Sequence, residues 1–147
     1  MKKDRVNIVG IGILYIIILI SCKSGLNYYE NQKIITKSCE LEKLINTSVV
    51  VQGVYYECME YNGFQTSDKG SCKEKFDIYL NFEQIEIPEN LLDKFYQIHG
   101  CTGTIKMTIK GILKNDSENG YGHLGSNNSE LIVQKVIDFG KVKYIKP

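Results

Sequence analysis

Along this chain the hydrophobic positions form one unbroken run near the start. After it come a short stretch of helical spacing and then stretches of period two, separated by a longer stretch of helical period. The run Val6–Ile20 is apolar apart from Asn7 and follows a basic start, Met1-Lys2-Lys3-Asp4-Arg5. It is shorter than the ~20 residues that span a bilayer as a helix. Residues 23–37 are polar with little periodicity and read as a tether. Leu41, Leu44 and Ile45 follow Cys39 at helical spacing, which predicts one or two turns ending near Asn46. Ser48–Tyr56 is a β-branched and aromatic strand interrupted by Gly53, the mark of a bulge or bend. Residues 61–74 read as a polar loop with room for one irregular strand. Phe76, Ile78, Leu80 and Phe82 then alternate with Asp77, Tyr79 and Asn81, which predicts a half-buried strand. Pro88 opens a helix over 89–99 whose stripe is Leu91, Leu92, Phe95 and Ile98, with Gly100 at its stop. Ile105, Met107, Ile109, Gly111 and Leu113 face one way and Lys106, Thr108 and Lys110 the other, again as a strand with a glycine on its apolar face. Residues 114–129 are a turn-rich loop, 130–137 a last strand, and 141–147 a basic, extended tail.

The predicted fold is mainly β. Strand with glycine, loop, strand, helix, strand with glycine, loop, strand is an order similar to that of the OB-fold. That fold is a small five-stranded barrel with one helix between the third and fourth strands. The resemblance needs its second strand to lie within 61–74. Gly120-Tyr121-Gly122-His123-Leu124-Gly125, followed by Leu131-Ile132-Val133, resembles a G-H-L-G then L-x-V pattern of small bacterial envelope proteins with OB-like barrels. It covers roughly residues 48–138 and implies a fold rather than an activity.

The amino end carries a more specific pattern. A basic start and a short apolar stretch have the layout of a secretory signal peptide. Leu19-Ile20-Ser21-Cys22 closes that stretch and resembles the lipobox of bacterial lipoproteins. The resemblance implies cleavage between Ser21 and Cys22, and a diacylglycerol thioether and acylated amino terminus on Cys22. Two or three acyl chains, at about 0.8 kcal/mol per buried methylene, anchor a chain stably. Lys23 follows the cysteine where an Asp would signal inner-membrane retention, so an outer-membrane destination is favoured, with its face open. The expected organisation is a leader over 1–21, a lipidated tether over 22–37 and an OB-like domain over 38–147.

Composition narrows the partners. Cleavage removes Lys2, Lys3, Arg5 and Asp4, which leaves 15 basic and 16 acidic groups and a net charge of −1. No general affinity for phosphate backbones follows, so nucleic acid is not an expected partner. The mature chain keeps Cys39, Cys58, Cys72 and Cys101, none in a C-x₂-C spacing, which argues against zinc. In an oxidising envelope they read as one or two structural disulfides. Four cysteines allow three pairings and the sequence does not choose among them. Cys58–Cys72, closing a loop of about 15 residues worth roughly 3 kcal/mol, is the pairing carried forward.

Candidate chemistry is sparse. His123 stands in the glycine-rich loop without a serine, cysteine or acid at a spacing that defines a triad, so it reads as a loop-bracing residue. His99, at the end of the predicted helix, complements the helix dipole. Gly120-x-Gly122-x-x-Gly125 meets the dinucleotide pattern in the wrong context, since a strand rather than a helix follows. Neither a cofactor nor a metal is implied. Tyr55, Tyr56, Tyr61, Phe64, Tyr79 and Tyr121 suggest aromatic platforms, with Tyr79 on the polar face of its strand and Tyr121 beside His123. These residues predict a lipid-anchored, non-catalytic module that binds an envelope protein or glycan. The alternatives are an immunity-type inhibitor of an exported toxin, a purely structural lipoprotein, and a hydrolase that depends on His123.

Overall fold

The computed structural model describes residues 32–66, 72 and 76–146. Leu19, Ile20, Ser21, Cys22, the expected leader and most of the expected tether lie outside them. The chain is mainly β. Its strands are β1 (Ile34–Ile35), β2 (Ser48–Cys58), β3 (Tyr61–Thr66), β4 (Ile78–Asn81), β5 (Gly103–Lys114) and β6 (Ser129–Tyr144). Two short helices are α1 (Ser38–Leu41) and α2 (Glu89–Ile98), and single 3₁₀ turns cover Glu42–Leu44 and His123–Gly125.

The six strands make one mixed sheet in the order β1-β2-β3-β4-β6-β5, and β5 also pairs with β2. The pairings therefore run in a cycle from β2 through β3, β4, β6 and β5 back to β2. The β3–β4 link is thin, with Phe64 opposite Ile78, while β5 and β6 pair along nearly their whole lengths. The expected five-stranded barrel with one helix is thus corrected to a six-stranded mixed sheet that is not a regular barrel and carries two helices. The extra strand is β1, which pairs parallel to β2 at Val50 and Val51 and buries Ile35. The tether expected to reach residue 37 therefore contributes Ile34 and Ile35 to the sheet.

Burial explains the strands that periodicity announced. Ile105, Met107, Ile109 and Leu113 are buried to 1% exposure or less, and so are Val51, Phe64, Ile78, Leu131 and Val133. Helix α2 covers this core with Leu91 and Ile98, and its Phe95 meets Tyr55 at 4.8 Å and Phe82 at 5.8 Å between ring centroids. Leu92, placed on the apolar stripe by spacing, is exposed instead.

The two strand glycines are points of close approach. A Cβ on Gly53 would lie 2.3 Å from the carbonyl oxygen of Gln65, and one on Gly111 would lie 2.4 Å from that of Ile132. In each case a neighbouring strand crosses tightly where the side chain is missing, which lets the sheet coil. Three register shifts between β5 and β6 have the same effect. They also explain why β6 continues past Ile137, where alternation stops being visible.

The cysteines pair as Cys39–Cys72 and Cys58–Cys101, with Cα atoms 5.3 and 4.2 Å apart. The expected Cys58–Cys72 bond is therefore corrected. Cys58 ends β2 at a hairpin turn, opposite Tyr61. The chain leaving α2 passes beside it, where the Cys101 N–H donates to the Glu57 carbonyl at 3.0 Å. Cys72 lies instead at the start of α1, where its Sγ accepts from the Cys39 N–H at 3.1 Å.

Candidate functional site

Two segments far apart in sequence meet at one corner of the molecule: the turn between β2 and β3, and the glycine-rich loop between β5 and β6. The loop is tied together by Tyr121. Its hydroxyl accepts the N–H groups of Asp116 at 3.0 Å and Ser117 at 3.2 Å and donates to the Asp116 carboxylate at 2.7 Å. That bond holds the Asp116 carboxyl below the ordinary carboxylate range. The Tyr121 hydroxyl is raised, first by desolvation and then by Asp116. Tyr121 and Asn127 also exchange backbone hydrogen bonds at 2.8 and 3.1 Å.

Asn127 fastens the loop to the sheet. It is 2% exposed, and its Nδ2 donates to the carbonyl of Asn62 in β3 at 3.0 Å and to Ser126 Oγ at 3.1 Å. A buried amide with these partners fixes the loop in a way an exposed side chain cannot. Gly120, Gly122 and Gly125 all have φ near +70°, the left-handed region that glycine adopts freely. Gly122 also passes over Tyr79, since a Cβ there would lie 2.9 Å from the ring. Tyr79 is accordingly half-buried beneath the loop.

His123 reaches out of the loop to the opposite turn. Its Nε2 lies 2.9 Å from Glu60 Oε2, and its ring meets Tyr61 edge-on, with centroids 5.3 Å apart. The ring therefore ties two segments together through side chains, rather than bonding the backbone of its own loop. The carboxylate of Glu60 is largely exposed, so the pair is worth only ~0–1 kcal/mol. His99 makes a parallel contact, Nδ1 to Glu57 Oε1 at 2.7 Å, on the same hairpin. Nearby, burial pushes the Tyr55 hydroxyl far above the ordinary tyrosine range, with Glu57 and Tyr79 adding to it. Burial, then Asp77, also raises Tyr56.

The most telling side chains at this corner are apolar and in water. Met59 is 73% exposed with φ +57°, and Leu124 is 83% exposed with φ +51°. Tyr61 beside them is 45% exposed. A bulky L-residue in the left-handed region costs roughly 1–2 kcal/mol relative to ordinary backbone, and glycine would remove that cost. Two such residues sit on facing turns joined by the His123–Glu60 contact.

Of the residues singled out from sequence, the structure gathers Tyr79, Tyr121 and His123 around this loop. The cysteines form two separate bonds, of which Cys58–Cys101 lies at the end of β2 next to Met59. Glu60, Met59, Leu124 and Asn127 were not singled out. Only the motif's own Leu124 drew attention to its segment. Among the described residues no cluster of three or more His, Cys, Asp or Glu is arranged to hold a metal ion. No helix among them is long and apolar enough to cross a membrane.

No family model matches this chain, and no curated protein matches it. Among solved structures it is similar to a chain titled "OBody AM3L09 bound to hen egg-white lysozyme". The two share 19% identity with a TM-score of 0.41, over 72% of this chain and 94% of that one. A likeness at that level carries no argument about this chain.

Proposed function

We propose that this protein is a lipid-anchored bacterial envelope lipoprotein whose OB-like domain is a non-catalytic module binding a protein or glycan. The binding surface is the corner formed by Met59, Tyr61, His123 and Leu124. The observation that carries this reading is the pair of exposed, left-handed residues Met59 and Leu124. Backbone strain kept under bulky side chains in water is maintained where those side chains are used. The OB-like reading is supported by the cyclic strand pairing, by the parallel β4–β6 contact and by α2 lying between β4 and β5. In that fold the loop after the first strand and the loop between the fourth and fifth flank the ligand face. Here they correspond to the Met59 turn and the His123 loop.

The decisive experiment separates stability from binding. Leu124→Gly and Met59→Gly should leave the domain as stable as the parent, or about 1 kcal/mol more stable, because the strain is relieved. Capture of the partner from detergent-solubilised envelope extract, identified by cross-linking and mass spectrometry, should fall at least tenfold. Variants that bind as well as the parent would exclude this corner as the site.

The anchor is tested separately, on Leu19-Ile20-Ser21-Cys22. Cys22→Ser should abolish incorporation of labelled fatty acid and leave an uncleaved precursor in the bacterial host. Continued labelling of the variant would end the lipoprotein reading while leaving the binding corner untouched.

A further inference from the structure

We propose that the outward face of the β5–β6 ribbon docks on an anionic phospholipid bilayer, so that the domain lies against the membrane surface. Along β5 the inward positions Ile105, Met107, Ile109 and Leu113 are buried. Thr104, Lys106, Thr108 and Lys110 therefore share the opposite face, by the period of two. The register sets Lys143 opposite Thr104, Asp138 opposite Thr108 and Lys135 opposite Lys110. Lys106 falls in the register shift beside Gly140 and Lys141.

Five lysines thus gather on one ribbon: Lys106, Lys110, Lys135, Lys141 and Lys143, with Asp138 among them. Four of the five are exposed and Lys110 is half-buried. The mature chain as a whole is at net charge −1, so this is a segregation of charge and not an average property. At the far end the charges balance, with Lys114 opposite Glu130.

Two exposed aliphatic side chains accompany these lysines, Ile137 at 45% within β6 and Ile145 at 58% just past its end, whereas Tyr144 lies opposite Gly103 and turns its hydroxyl to Gln97 of α2. Lysines interleaved with exposed aliphatic side chains suit a headgroup surface, where the apolar parts enter the interface and the ammonium groups meet phosphate. Charge complementarity alone would suit other polyanions, and the apolar neighbours favour a bilayer. Chain length permits the contact, since the twelve steps from Cys22 to Ile34 can span up to ~40 Å when extended. The charge and exposure of the face are independent of the lipid on Cys22.

The test uses the mature chain from residue 23 onward, made without leader or lipid, so its outcome is separate from that of the Cys22 experiment. Co-sedimentation compares pure phosphatidylcholine vesicles with vesicles of three parts phosphatidylcholine to one part phosphatidylglycerol. Binding to the anionic vesicles should be at least tenfold tighter and should weaken as salt shortens the screening length. Each lysine near an anionic surface is worth about fivefold in binding. Lys135→Glu with Lys143→Glu should therefore bring binding down to the neutral-vesicle level. Lys106→Gln with Lys141→Gln, a milder pair, should lose at least tenfold while melting like the parent. Lys43→Glu, outside this ribbon, should change nothing. Equal binding to both vesicle types, full binding by the lysine variants, or duplex DNA binding as tight as vesicle binding at the same salt would each overturn the proposal.

Discussion

A chain carrying Cys58→Ala and Cys101→Ala will unfold about 2–5 kcal/mol more easily than the parent in chemical denaturation under oxidising conditions. The two cysteines are 43 residues apart, and freeing a loop of that size restores denatured-state entropy worth roughly 4 kcal/mol in the chain-entropy model. The bond joins the end of β2 to the turn after α2. Its loss loosens the helix from the hairpin that carries Met59 and Glu60. The Cys101 N–H bond to Glu57 and the Glu57–His99 contact remain, so local structure should persist while global stability falls. Cys101 also has φ +68°. Cys101→Gly combined with Cys58→Ala should therefore recover about 1 kcal/mol relative to the double alanine. Proteolytic mapping without reductant should find Cys58 linked to Cys101 and Cys39 linked to Cys72. A Cys58–Cys72 peptide, or a double alanine as stable as the parent, would contradict the structure.

The second large effect is in the glycine-rich loop, where two substitutions to alanine, compared with a third at Gly100 after α2, should rank in a set order. Gly125→Ala should be worst, because its Cβ would fall 1.9 Å from the Asn119 carbonyl oxygen at φ +68°. The obstacle is backbone and cannot rotate aside. A left-handed penalty of about 1 kcal/mol and a forced shift of about 1–3 kcal/mol give roughly 2–4 kcal/mol. Gly122→Ala should be intermediate, since its Cβ would meet side chains, Asn127 Nδ2 and the Tyr79 ring, each at 2.9 Å. Gly100→Ala has φ +82° but open space around it, so only the backbone penalty of about 1 kcal/mol applies. Denaturation read beside amide exchange at Tyr121 and Asn127 measures both the global and the local cost. A Gly125→Ala protein no worse than Gly100→Ala on both measures would mean that the loop is not built as described.

Much of the sheet was legible because its core is periodic. Ile105 to Leu113 alternates over buried and outward positions, and so does Phe76 to Leu80, so burial on one face is written into composition. Helix α2 announced itself through Leu91, Phe95 and Ile98 in the same way. Strand β3 was only allowed for, within 61–74, because among Tyr61–Thr66 the fully buried side chain is Phe64 alone and no alternation surrounds it. The outer half of β6 was hidden by the register shifts, which break the period while pairing continues.

The candidate site was legible only as a loop. Three glycines within six residues predict a tight, irregular turn at 120–125, and His123 stands out by its chemistry. Nothing local tells that His123 meets Glu60, or that Asn127 hangs from Asn62, because each contact joins residues more than 60 positions apart.

By itself, then, the sequence determined what depends on neighbours along the chain: the alternating strands, the amphipathic helix and the glycine loop. The tertiary structure decided what depends on which segments come together. It joined β1 to β2, paired Cys58 with Cys101, and brought together, through the His123–Glu60 contact, the turns that carry Met59 and Leu124. The physical reason is that periodicity records which face of an element is buried. Strand order, cysteine pairing and the meeting of two turns are set by how the whole sheet coils at Gly53 and Gly111, and no local pattern contains that information.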